Sequence, residues 1–446
     1  RDACTPALAD QAAHRLDRAE RRLMRVIALA SGIRVEVRHP VEARPGDTLA
    51  TDLRLTAPPG APPARAEWAL PPGWTLREGQ LTVPATAPPA DPYPATYHAH
   101  GNRGPVGATL TLTVEGRTIT APVPVDSPLL ILPSAEADVT PDAVFCNALA
   151  PRPIVIRLSP SATLSPPADW KIEGAAEGAR LIPPPDPATG LTIHPVTRDG
   201  APAQTVTRID HPHTGPLILA SPATLRLRVA SVALARGRTG YIGAGRDRVD
   251  HWLHAMGAEV EALEDTALTP AGLAGIESLV LGIFALRFRP GLSALMPAVH
   301  DWVRAGGNLV TLYHRPWDNW SPDTTPPARL EIGKPSLRWR VTDEGAEVRH
   351  LIPDHPILTG PNAIGPDDWA GWVKERGLYF AKSWDPAYEA LLEMADPGEA
   401  PHHGALLSAR IGRGRHTHCA LILHLQMEAL VPGAFRLMAN LIAPGR

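Results

Sequence analysis

Cysteine is scarce in this chain: Cys4, Cys146 and Cys419 are its three. They lie far apart, which excludes both a disulfide framework and a zinc-ribbon spacing. Aromatic residues make up 5% of the sequence, and the charge nearly cancels at −3. So no bulk field steers the chain towards nucleic acid. No apolar run approaches the roughly 20 residues of a membrane-spanning helix. The opening RDACTP lacks the shape of a signal peptide. The 446 residues are too many for one core, so two to four domains are expected.

Proline is abundant, with 51 residues. Clusters such as APPGAPPARA argue for loops between short strands and against long helices there. Residues 7–30 carry the one strong helical pattern of the first half, with Leu16, Leu23, Ile27 and Ala30 near helical spacing. A helix at the start without a following partner is expected to close a domain that lies upstream. From Gly32 to about Ser127 short runs alternate apolar and polar residues, and the alternation predicts an antiparallel β-sandwich over 32–127. A second set predicts another sandwich, Ig-like in size, over 128–235. Trp74 in PPGWTL and Trp170 in ADWKIEG each follow a proline-rich turn, which suggests two similar modules.

After Arg236 strand and helix alternate, and this predicts a three-layer α/β domain with a mainly parallel sheet, of flavodoxin type, over 236–446. Gly306-Gly307 should stop one of its helices. In such a sheet ligands bind beyond the carboxyl ends of the strands. The turn after NLVTL emerges there and carries Tyr313, His314, Arg315, Trp317, Asp318 and Trp320. The aromatic segment GPDDWAGWVKERGLYFAKSWD, with Trp372 and Glu375, is expected to line the same cleft. Indoles there would stack on a sugar ring, and Arg315 or Glu375 would pair with its substituents. The other reading is a long loop pinned by its own tryptophans.

Other constellations have plainer readings. GYIGAGRDR, with Asp265 some way on, resembles a dinucleotide loop, but Arg248 stands where the third small residue belongs. His251 and His254, spaced i and i+3, lack a third metal ligand. His416 and His418 point to one side of a strand and Cys419 to the other, a pattern that fits packing as well as metal binding. His402-His403 lies in a polar loop. No set of three ligands is suitably spaced, so no metal site is expected.

The succession TGYIGAGRDRVDHWLHAMGAEV, LVLGIFALRFRPGL, WVRAGGNLVTLYHR, RVTDEGAEVRHLIPDHPILTGPN, DWAGWVKERGLYFAKSWD, GALLSARIGRGR and VPGAFRLMANLI resembles the C-terminal region of large bacterial PIG-L (LmbE-like) deacetylases. The resemblance covers the last 210 residues well and the sandwiches weakly. It implies a zinc-dependent N-acetyl-sugar deacetylase domain upstream, encoded with this chain or separately, then sandwich modules and a class I glutamine amidotransferase-like domain. It also implies a periplasmic or extracellular location. The departures matter. The family's zinc-binding HPDD run is absent: His39-Pro40, His211-Pro212 and His355-Pro356 are followed by other residues. The amidotransferase nucleophile would stand at about Tyr313, and tyrosine cannot act as a thiolate does. The expectation is therefore a non-catalytic region that recognises a glycan or glycoconjugate, with no cofactor and no catalytic residue of its own. The competing expectations are a hydrolase or transferase using His314, Asp318 or Glu375 as acid or base, and a purely structural role.

Overall fold

A computed structural model describes residues 6–91, 104–123, 125, 127–175, 178–212 and 215–445. Cys4 lies outside them. The chain is β-rich, with many small sheets and few helices. It divides into two compact units. The first is Arg1–Val139 with Leu158–Ser165 and Pro195–Thr224; the second is Thr140–Arg157 with Pro166–His194 and Leu225–Arg446.

In the first unit the helix Pro6–Ala30 lays Ile27 and Ala28 on a core of Ile33, Leu110, Leu112 and Val123. The sheet behind that core is antiparallel, with Gly107–Val114 between Ala64–Ala69 and Arg117–Val123. Arg34–Arg38 pairs antiparallel with Asp52–Thr56, its two valines half-buried and its charged residues outside. This is the period-two alternation read from the sequence. A long hairpin, Gln204–His211 with Gly215–Pro222, completes the unit.

The second unit is organised by a seven-stranded sheet. Its order is Glu259–Ala262, Arg238–Ile242, Ser278–Leu281, Asn308–Leu312, Gly414–Cys419, Leu406–Ile411, Tyr388–Ala390. The first five are parallel, and Leu406–Ile411 runs antiparallel between Gly414–Cys419 and Tyr388–Ala390. Successive side chains go to opposite faces. Tyr241, Val280, Val310 and Leu312 meet Trp252 and Phe435 from the helices Val249–Met256 and Pro432–Leu441. Leu279, Leu281 and Leu309 meet Met296, Val299 and Val303 of the helix Leu292–Arg304. That helix ends at Gly306, whose φ of 125° lies where a Cβ is disfavoured.

The strand Ala143–Asn147 belongs to this unit rather than to a separate module. The Phe145 ring stacks on Phe435 with centroids 4.0 Å apart. Buried Asn147 donates through Nδ2 to the carbonyls of Val232 (2.8 Å) and Met256 (2.9 Å). A boundary at 235 therefore runs through a packed core. The paired tryptophan turns have one geometry: Trp74 N–H donates to Pro71 O and Trp170 N–H to Pro167 O, each after a residue of positive φ.

Candidate aromatic cleft at the carboxyl edge of the sheet

Each parallel strand delivers a turn to the same edge. Gly243 to Arg248 follows Arg238–Ile242, and Asp247 dominates that turn. Its carboxylate accepts from Val249 N (3.0 Å), Ile283 N (2.8 Å) and the Tyr241 hydroxyl. The helix N-terminus where a pyrophosphate would bind is thus occupied by the chain's own anion. Asp265 is engaged by Arg289 at 2.6 Å. The GYIGAGRDR turn is a structural strand-to-helix junction.

Tyr313, directly after Leu312, is the centre of an aromatic cluster. Its ring meets Phe284 edge-on at 5.2 Å, Tyr379 nearly parallel at 6.2 Å and His424 at 5.5 Å. Trp317 stands edge-on to Tyr379 at 5.7 Å and is 53% exposed. Arg315 lies 4.2 Å above the Phe284 ring and 5.8 Å from that of Trp317. It is fixed there by Asp318, at 2.8 Å. Buried Asp318 also accepts from the Arg315 backbone N–H at 2.8 Å. Salt bridge and turn hydrogen bond together hold the guanidinium over the Phe284 ring, within cation–π distance.

Two consequences follow for charge. Burial and the Glu375 carboxylate push the Tyr313 hydroxyl up, so it stays protonated. Burial raises Glu375 above the usual carboxylate range, and nearby Arg340 and Lys374 oppose this. Burial lowers His424 to about 4, which leaves it neutral near pH 7. Among the described residues, no hydrogen bond engages the Tyr313 and Tyr379 hydroxyls, the Trp317 indole N–H or the Glu375 carboxylate. Phe284, Lys374 and Tyr379 have φ of 57°, 70° and 56°. Such non-glycine conformations cost on the order of 1–3 kcal/mol each and concentrate where a surface is shaped for a task.

The structure separates some residues that the sequence reading placed together. His314 turns to the other face of the sheet, wholly buried against Leu286 and Trp320. Both its ring nitrogens are used, by Leu312 O at 2.8 Å and Leu286 N at 3.3 Å. Burial lowers it to about 4. Trp372 is 4% exposed, packs on Trp369 and donates to Asp368 O at 3.1 Å, so it is core and offers no stacking face. Of the acid–base trio His314, Asp318 and Glu375, the first two have no access to solvent, and no proton-transfer pair is assembled.

The remaining motifs resolve into packing. His416 and His418 share the Thr311 hydroxyl (3.1 and 2.9 Å) on one face, with Cys419 on the other. Burial raises the thiols of Cys419 to about 12 and Cys146 to about 11, so neither is a ready thiolate. His251 rests beside Trp252, His402 against Trp339 and Phe380, and His403 on Glu393 at 2.7 Å. Among the described residues no three His, Cys, Asp or Glu side chains form a metal-holding group. Nor is any described helix long and apolar enough to cross a membrane.

Phe284, Tyr379 and His424 were not singled out by the sequence. Tyr379 sits in the aromatic segment that was. Phe284 and His424 gave no signal, because they reach Tyr313 through the ends of other strands.

Neither a family model nor a curated protein sequence matches the chain. Several solved structures share a weak likeness. A GMP synthase-type protein from Thermoplasma acidophilum aligns at 8% identity and TM-score 0.31, over 47% of this chain and 93% of that one. The exo-β-1,4-mannosidase of Opitutaceae bacterium strain TAV5 aligns at 14% and 0.29, over 47% of this chain and 36% of its own. The cold-adapted β-galactosidase of Rahnella sp. R3 aligns at 14% and 0.26, over 46% and 32%. At these scores they carry no argument about activity.

Proposed function

We propose that this chain is a non-catalytic accessory region of a PIG-L-type N-acetyl-sugar deacetylase and recognises a glycan or glycoconjugate at the cleft around Tyr313. Its second unit is read as a class I amidotransferase-like domain and its β-modules as Ig-like. Its partner is a deacetylase domain, upstream or separately encoded, which would hold the zinc. A periplasmic or extracellular setting belongs to the same reading.

One observation carries it: aromatic rings converge at the carboxyl edge with their polar tips unengaged, and Trp317 is exposed among them. Sugar binding needs an apolar ring face plus hydroxyl partners at its rim. Exposed Trp317 and half-buried Tyr379, backed by buried Tyr313, supply the first; Glu375 and Arg315 supply the second. The position of the amidotransferase nucleophile holds a tyrosine kept protonated, which supports binding rather than acyl transfer. Binding of N-acetylated oligosaccharides to the full chain on a glycan array tests the reading. A surface that retains no glycan of any class counts against it.

The hydrolase reading retains one supporting feature, the half-buried Glu375 with its raised carboxyl. An acid of this kind needs a second group, and Glu375→Gln should leave glycan retention measurable while abolishing any hydrolysis.

A further inference from the structure

A cavity of about 590 Å³ opens beside the first residues of the Gly414–Cys419 strand, at the amino edge of the parallel sheet. Arg415 lines it and is half-buried. Its Nε donates to Asn308 Oδ1 (3.0 Å), and its Nη2 to the carbonyls of Leu441 (3.1 Å) and Ala443 (2.7 Å). These bonds close the C-terminal end of the helix Pro432–Leu441 and use three of the five guanidinium donors. No protein group takes the two N–H bonds of Nη1 among the described residues, and no carboxylate pairs with Arg415. The helix end offers about half a negative charge against a full positive one. A half-buried cation therefore faces the cavity with no carboxylate partner among the described residues and two donors to spare.

The rest of the wall is polar on both signs. Arg410 stands at the exposed rim, and buried Ser408 has one long contact, 3.4 Å to Thr417. Glu389, the register partner of Ser408 on the neighbouring strand, and Asp354 add two carboxylates to the wall, with His355 Nε2 3.7 Å from the Glu389 carboxylate. A dianionic phosphate would meet those two carboxylates. A singly charged carboxylate with hydroxyl or amino groups would meet acceptors for each of its donors.

We infer that this cavity binds a small hydroxy- or amino-carboxylate of sugar-acid size. The carboxylate would sit on Arg415 Nη1 and Arg410, and the ligand's hydroxyl or amino groups would face Glu389 and Asp354. Guanidinium suits this task because its planar donors match a carboxylate.

The test is calorimetric titration of the full chain with glucuronate, and with glucose and inorganic phosphate as comparators. The expected result is millimolar or tighter affinity for glucuronate, with both comparators at least about tenfold weaker. Arg410→Gln, a change at the exposed rim, should weaken glucuronate about tenfold with the fold intact. Arg415→Lys should do the same where it folds. Trp317→Ala should leave glucuronate affinity unchanged, which separates this site from the aromatic cleft. Absence of glucuronate binding, glucose or phosphate binding as tightly, or undiminished affinity in Arg410→Gln overturns the inference.

Discussion

The rings of Tyr313 and Tyr379 lie 6.2 Å apart and 23° from parallel, across the carboxyl edge of the sheet. One comes from the end of a core strand and the other from a segment more than sixty residues later. Their relationship makes an aromatic surface at the carboxyl ends of the parallel strands. Burial and the Glu375 charge that raise the Tyr313 hydroxyl would act on any acid placed there. The Tyr313→Cys variant should consequently hold a thiol above its usual pKa, slow to alkylate near pH 7. Rapid iodoacetamide labelling at neutral pH would show that the turn activates nucleophiles after all.

Trp317 and Trp372 should behave oppositely. Trp372→Ala removes a buried indole and its hydrogen bond to Asp368, at a cost of about 3–5 kcal/mol. Trp317→Ala removes an exposed ring and should change stability by about 0.5 kcal/mol or less. Denaturant unfolding of the two variants distinguishes them.

Acid should loosen the second unit through its histidines. Burial depresses His314 to about 4, His418 to about 3 and His424 to about 4, and His416 falls in the same direction. Unfolded histidine titrates near 6.5. Between those values the unfolded chain binds more protons, so stability is fully present above about pH 6.5 and is lost as pH falls towards about 4. Melting temperatures should drop by on the order of 10 °C across that window. His418→Phe removes one of the titrating groups and should show a shallower decline; an unchanged slope would remove the buried histidines as the cause.

Residues before 235 should prove necessary to the α/β unit. A chain spanning 235–446 loses the Phe145–Phe435 stack and the Asn147 bonds to Val232 and Met256. Unpaired buried groups of this kind cost about 1–3 kcal/mol each. The 235–446 chain should melt on the order of 10 °C below the 140–446 chain, or fail to melt cooperatively. Equal melting would restore 235 as a true boundary.

The parallel sheet was legible because strand and helix periods differ, and one helix stop because Gly306-Gly307 marks it. The turn after NLVTL was legible from topology alone. What lay hidden is orientation. Tyr313 and His314 are neighbours in sequence but point to opposite faces, and the strand register that decides this comes from Asn308–Leu312 pairing with Gly414–Cys419. Trp372 and Tyr379 share one aromatic segment, yet one is core and the other is half-buried beside exposed Trp317. Composition marked the segment as packed; it held no information on which ring faces out. Asn147 was invisible for a related reason, since its partners lie 85 and 109 residues away.

The central claim is that exposed Trp317 and half-buried Tyr379, beside Tyr313, bind a sugar. Calorimetric titration of an N-acetylated oligosaccharide into the full chain, and into the Trp317→Ala and Tyr379→Ala variants, tests it most directly. The account predicts measurable affinity in the unaltered chain and a loss on the order of tenfold or more in each variant, with native melting retained. Equal affinity in all three proteins would contradict it.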